Sequence, residues 1–213
     1  MITFKPEILQ LYAVTDRRWL GTQTLVQQVE SAIKGGVTCV QLREKNLDKK
    51  LFLQEALAIK KICNFYHVPL VINDNIEIAC ESGADGVHVG QNDMPVEKVR
   101  NILGKNKIIG VTVRTVEQAL QAQSNGADYL GVGAIFSTGT KTDAIKTEKN
   151  IVKAICKSVK IPVIAIGGIT QENILQLAGL GVQGVALVSA IFSASDIEQT
   201  CRKLKILSEQ IAN

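Results

Sequence analysis

LVINDNIEIACESGADGVHVGQND, residues 70–93, holds two short apolar runs separated by a segment of helical length. The first run ends on Asn73-Asp74, and the second breaks at Gly90 and delivers Asp93. Two strand-like runs joined through one helix read as a βαβ unit with parallel strands. Asp74 and Asp93 then fall just past the C-terminal ends of neighbouring strands, on one shared rim. Carboxylate oxygens gathered beside amides and hydroxyls suit a hard cation such as Mg²⁺, which keeps several waters and takes its other ligands from a phosphate.

The same alternation runs outward in both directions. Strand-like runs are expected at 10–14, 37–42, 70–72, 87–89, 108–113, 129–133, 162–166 and 184–188, with helix-sized segments between and after them. Gly35-Gly36 and Gly126 stop helices, since glycine tolerates the left-handed backbone that ends one. Pro95 suits a first helical turn, and Thr170 is expected to cap a helix reaching Gly179. Thr115 with Gln118, and Ser195 with Glu198, have capping-box spacing. Gly-Ala-Asp recurs at 83–85 and 126–128, each time just before a strand. Eight such units with short connections specify an α/β chain, a single (β/α)8 TIM barrel over residues 1–213, with a doubly wound open sheet as the alternative.

The composition narrows the function classes. The 213 residues carry 24 basic and 20 acidic side chains, a net +4 that is scattered rather than clustered. Such a balance argues against nucleic acid and against a membrane surface, and it is compatible with a basic rim facing an anionic substrate. Cys39, Cys63, Cys80, Cys156 and Cys201 are odd in number, lack C-x-x-C spacing and fall on apolar faces, so buried thiols in a reducing compartment are expected. No signal pattern or long apolar run is present, and the reading is a cytoplasmic protein. A homo-oligomer is allowed but not required.

In a barrel the reacting groups stand at the C-terminal strand ends. Those ends carry Asp16; Gln41, Arg43 and Lys45; Asn73 and Asp74; Asp93; Thr112; Thr138, Thr140 and Lys141; Gly167 and Gly168; and Ser189. Arg43 and Lys45 alternate on one strand exit and so point the same way. Beside the two carboxylates, and with Lys141, they make a polyphosphate site; alone, Arg43 could equally be a solvated loop residue. Gly167-Gly168 after the seventh strand and Ser189 after the eighth fit a monophosphate held by backbone N–H groups, although two glycines also suit a plain turn. The 137–146 loop reads equally as a lid or as an ordinary surface loop. His67 falls on the far face and His88 mid-strand, where a core histidine is the expectation. Trp19 could wall a pocket or cover the barrel end. Two anionic sites across one mouth suggest joining two phosphorylated small molecules with diphosphate as the leaving group, helped by Mg²⁺.

QLREK at 41–45, VIND at 71–74, HVGQND at 88–93, STGTKTD at 137–143, IGGIT at 166–170 and LVSAIF at 187–192 resemble thiamine-phosphate synthase, and the likeness runs from LYAVTD at 11–16 to about residue 192. The resemblance implies transfer of 4-amino-2-methyl-5-hydroxymethylpyrimidine from its diphosphate to a hydroxyethylthiazole phosphate, by a dissociative route. It implies Asp74 and Asp93 as Mg²⁺ ligands. Gln41, Arg43, Lys45, Asn73, Thr112 and Lys141 would contact the pyrimidine diphosphate, with Arg43, Lys45 and Lys141 as its catalytic cations. Thr138, Thr140, Gly168, Val188 and Ser189 would hold the thiazole phosphate. Thr112 replaces a common serine and Arg114 a common histidine. The related thiazole tautomerase, which relies on that histidine, is the alternative; a silent ligand-binding barrel is the third reading.

Overall fold

The computed structural model describes residues 4–139 and 146–211. Its elements run β1 (Leu11–Val14), α1 (Leu25–Lys34), β2 (Cys39–Leu42), α2 (Lys49–Phe65), β3 (Leu70–Asn73), α3 (Ile76–Glu81), β4 (Gly86–Val89) and α4 (Val96–Leu103). The second half continues with β5 (Ile108–Val113), α5 (Val116–Ser124), β6 (Tyr129–Val132), α6 (Lys149–Ser158), β7 (Val163–Ile166), β8 (Gly184–Leu187), α7 (Ser189–Phe192) and α8 (Ile197–Ile211). The eight strands pair in parallel in chain order and close between β1 and β8, forming the (β/α)8 barrel expected from the sequence. Among the described residues no helix is long and apolar enough to cross a membrane.

The strands are buried on both faces, and their side chains divide by alternation. One set, including Leu11, Ala13, Leu70, Ile72, Ile109 and Val111, packs against the helices. The other, including Tyr12, Cys39, Val71, Ile108, Tyr129, Ile164 and Ala186, fills the barrel interior. Burying each large aliphatic side chain contributes roughly 1.5–3 kcal/mol, so this double layer is the main source of stability. Gly110 is required by that interior: a Cβ there would lie 2.1 Å from Cζ of Tyr129 and 2.5 Å from Nδ1 of His88.

Several local expectations are corrected. The helix expected from Thr170 is instead a short 3-10 turn at Ile174–Leu177, in which Ile174 and Leu177 are both fully buried. A spacing of three between the residues to be buried suits the tighter helix. The eighth strand, expected over 184–188, ends at Leu187, and Ser189–Phe192 wind into α7 with Val188 as its N-cap. Pro95 stands at the N-cap of α4 rather than within its first turn. Thr115 accepts from Gln118 N at 3.2 Å, but the Gln118 amide oxygen accepts from Arg114 N at 2.8 Å, so only half the box forms. Asp196, not Ser195, caps α8 by accepting from Gln199 N at 2.9 Å. The cysteine expectation also needs amending: Cys39, Cys63 and Cys201 are buried, whereas Cys156 is half-buried and Cys80 exposed, and all five are free thiols.

The two Gly-Ala-Asp turns do one job twice at the barrel end opposite the strand exits. Asp85 Oδ2 accepts from Leu70 N at 2.8 Å and from Lys60 Nζ, on α2, at 2.6 Å. Asp128 Oδ2 accepts from Ile109 N and from the Arg100 guanidinium, on α4, each at 2.7 Å. Each carboxylate ties the preceding strand of the sheet to a helix through charge-assisted bonds.

Candidate active site

A cavity of about 790 Å³ opens at the C-terminal ends of the strands. That volume suits small-molecule ligands. The inward alternation of β2 continues beyond its end, so Gln41, Arg43 and Lys45 all line the cavity. Glu44, between the two cations, turns the other way and pairs with Arg17 at 2.8 Å. Burial raises the Glu44 carboxyl above its ordinary range, against the pull of Arg17. Among the described residues Arg43 forms no ion pair, which leaves its guanidinium for an anion in the cavity.

Asp74 stands where β3 leaves the barrel, with φ +60°, a backbone region that non-glycine residues rarely enter. Asn75 N donates to Asn73 O at 2.7 Å, closing a three-residue turn around it, and Asp74 N donates to His88 O at 2.8 Å. These bonds hold a conformation whose cost is on the order of 1–3 kcal/mol, a kind of strain that clusters at working sites. Asn75 then caps α3 by accepting from Ile78 N at 2.9 Å. The Asp74 carboxylate meets Lys45 Nζ at 2.5 Å. Asp93 Oδ2 accepts from Gly90 N at 2.7 Å. Burial, and then the adjoining Asp74 carboxylate, raise the Asp93 carboxyl above its usual range. Two carboxylates crowded this way fit a divalent cation. Among the described residues no cluster of three or more His, Cys, Asp or Glu side chains forms, so a cation here would complete its shell with substrate oxygens and water.

Between the carboxylates and β6 lies a feature that sequence reasoning missed. His88 is buried, yet it lines the cavity, with Nδ1 2.9 Å from Tyr129 Oη and Nε2 2.8 Å from Thr112 Oγ1. Burial lowers its pKa to about 4, against the opposing pull of Asp93, and so keeps the imidazole neutral near pH 7. Tyr12 Oη lies 2.8 Å from Tyr129 Oη, and Gln41 Nε2 donates to Tyr12 Oη at 2.9 Å. The signal was the two-residue period itself, which puts Tyr12, His88 and Tyr129 on the inner face of their strands. Arg114 and Gln118 also line the cavity and were absent from the expected contacts.

Across the mouth stands a different surface. Gly167 and Gly168 have φ +96° and +67°. A Cβ on Gly168 would lie 2.3 Å from Ser137 O, so no larger residue fits. Asn173 secures this turn: its Nδ2 donates to Gly168 O at 2.9 Å, and its Oδ1 accepts from Thr170 N at 2.8 Å. Val188 and Ser189 line the same side of the cavity where α7 begins. Glycine backbone and a helix start together expose N–H groups, the donors that bind phosphate without metal.

The cavity therefore gathers Gln41, Arg43, Lys45, Asn73, Asp74, Asp93, Thr112, Thr138, Gly168, Val188 and Ser189 from their separate elements. Thr140 and Lys141 lie outside the described residues. Asp16, another rim residue, is engaged by Arg18, whose guanidinium reaches it at 2.6 Å and donates to Gly139 O at 3.3 Å.

Comparison with known proteins adds the chemistry. The family model described as thiamine monophosphate synthase matches residues 11–191. The thiamine-phosphate synthase of Ruminiclostridium cellulolyticum is 52% identical over 194 residues, covering 91% of this chain and 92% of that protein. That of Clostridium botulinum is 49% identical over 195 residues, covering 92% of each. Among solved structures, thiamine phosphate pyrophosphorylase from Pyrococcus furiosus superposes with a TM-score of 0.89 at 35% identity, covering 98% of this chain and 99% of that one.

Proposed function

The chain belongs to the thiamine monophosphate synthase family, transferases that make thiamine phosphate, and on that premise we propose how its cavity divides between two substrates. The observation that carries the reading is the pairing of two unlike anion sites across one mouth. Arg43 and Lys45 stand with two carboxylates on one side, and the Gly167-Gly168 backbone and Ser189 stand on the other.

The aminopyrimidine diphosphate takes the first side. Arg43 clamps its phosphate oxygens bidentately, and Lys45 adds a compact charge. Lys141, from the loop after β6, would complete the cation set. Asp74 and Asp93 would hold Mg²⁺, which supplies charge neutralisation for the diphosphate. Gln41, Asn73 and Thr112 orient the pyrimidine. Thr138, Thr140, Gly168, Val188 and Ser189 hold the thiazole phosphate, the last three largely through backbone.

In the reaction the bond from the pyrimidine methylene carbon to the diphosphate oxygen breaks, and its electron pair leaves with the diphosphate. The thiazole nitrogen lone pair forms the new C–N bond. Arg43 and Lys45 meet the charge that builds on the leaving group, the electrostatic contribution that is usually the largest in such catalysis. A dissociative order suits the electron-rich aminopyrimidine. The five free thiols suit a reducing compartment, and we place the protein in the cytoplasm.

The test is a product assay by mass spectrometry with both substrates, with and without Mg²⁺. Thiamine phosphate and diphosphate appearing only with metal is the expected result. Product formation at full rate in chelator would remove the metal from the scheme. Binding of the thiazole phosphate with no joined product would overturn the two-substrate arrangement.

A further inference from the structure

We infer that His88 is a positioning residue that carries the hydrogen-bond polarity of Gln41 across the barrel to Thr112, and that this fixed polarity selects an aminopyrimidine over its oxo counterpart. Gln41, Tyr12, Tyr129, His88 and Thr112 come from five strands and form one unbroken chain, every link between 2.8 and 2.9 Å. Its three inner members are buried, and both ends line the cavity.

Each hydroxyl in such a chain has one proton, so setting one end sets them all. The Gln41 amide nitrogen donates to Tyr12 Oη. Tyr12 also neighbours the buried Cys39 thiol, a weaker acceptor than a phenol oxygen, so it gives its own proton to Tyr129, and Tyr129 gives its proton to His88 Nδ1. A neutral imidazole accepting at Nδ1 carries its proton on Nε2, which donates to Thr112 Oγ1. Thr112 is left with its own proton, and among the described residues its hydroxyl has no other hydrogen-bond partner. The chain thus presents an amide oxygen at one end and a hydroxyl donor at the other.

An aminopyrimidine edge matches that pattern, with an exocyclic N–H for the Gln41 oxygen and a ring-nitrogen lone pair for Thr112. An oxo-pyrimidine edge, with C=O and ring N–H, reverses both. Accepting it would require every proton in the chain to turn round together or leave buried polar groups unpaired, and sites of this kind reject such analogues strongly. This inference rests on the proposed pyrimidine side of the cavity and deepens it.

The first experiment is ¹⁵N-resolved NMR of the imidazoles in the substrate-free protein at pH 7, where the exposed His67, the only other histidine, serves as the reference signal. His88 protonated on Nε2 is expected; protonation on Nδ1 overturns the relay whatever the protein synthesises. The second experiment compares the amino- and oxo-pyrimidine diphosphates in Tyr12→Phe and Tyr129→Phe, each of which deletes one oxygen from the chain. The preference for the amino form should narrow by roughly five- to tenfold in both, with the KM for the thiazole phosphate unchanged. Undiminished preference in two folded variants overturns the proposal. An Nε2 tautomer in a protein that forms no thiamine phosphate would support the relay and count against the reaction assignment.

Discussion

Lys45 Nζ lies 2.5 Å from Asp74 Oδ2, so a cation suited to phosphate and a carboxylate suited to metal neutralise each other across the mouth of the barrel. Both groups are partly exposed, and an ion pair of that kind is worth only about 0–1 kcal/mol. It can therefore be exchanged at little cost. Substrate with its metal would separate the pair, giving Lys45 to the diphosphate and Asp74 to Mg²⁺.

That exchange predicts opposite effects for one substitution. Lys45→Gln should tighten binding of Mg²⁺ alone, by several-fold, because Asp74 loses its competitor. The same variant should turn over ~10²-fold more slowly, the scale of losing one electrostatic contact in the transition state. Calorimetric titration with Mg²⁺ alone, set beside steady-state rates, checks both. Weaker metal binding in the variant would refute the exchange.

Asp74 also separates stability from activity through its backbone. Asp74→Gly removes the left-handed strain and should raise the melting temperature by about 2–4 °C, corresponding to about 1 kcal/mol in a chain of this size. Turnover should fall ~10²-fold with the carboxylate gone. A calorimetric melt together with the product assay decides it. A lower melting temperature would show that the carboxylate's own contacts outweigh the strain.

Gly168→Ala should act on one substrate only. Its Cβ would press on Ser137 O and displace the turn proposed to face the thiazole phosphate. KM for that substrate should rise at least tenfold, with KM for the pyrimidine diphosphate nearly unchanged. Equal effects on both would mean that the two sides of the cavity are not independent.

Acid should be felt through His88. Its pKa is lowered to about 4 from the ordinary 6.5, so the unfolded chain binds a proton in this interval that the native protein does not. Stability from this group is complete above pH 6.5 and declines as pH falls towards about 4. Thermal melts between pH 7 and 5 should show that decline, and His88→Gln should flatten it. An unchanged slope in the variant would assign the decline to other groups.

The barrel was legible because alternation, glycine stops and short connections agree along the chain. The rim was legible for a related reason: a strand's two-residue period runs on past its end, which set Arg43 and Lys45 on one side and Glu44 on the other. Two features escaped for physical reasons. Gln118 has capping-box spacing behind Thr115, but its oxygen goes to Arg114, since spacing specifies neighbours rather than which of two donors wins. His88 reads as a core residue because it is one; only the three-dimensional approach of β1, β4 and β6 shows that its two nitrogens join a polar chain to the cavity.

The paired Gly-Ala-Asp turns mark where this barrel could be copied or exchanged. Each carboxylate binds a strand and a helix that precede it in the chain, so α2–β3–α3–β4 and α4–β5–α5–β6 each carry their own fastening. A segment transplanted with its turn would bring that fastening along. The opposite end, where Asp74 and Gly168 sit, would be free to acquire new loops. In this chain inheritance and invention occupy opposite ends of the same strands.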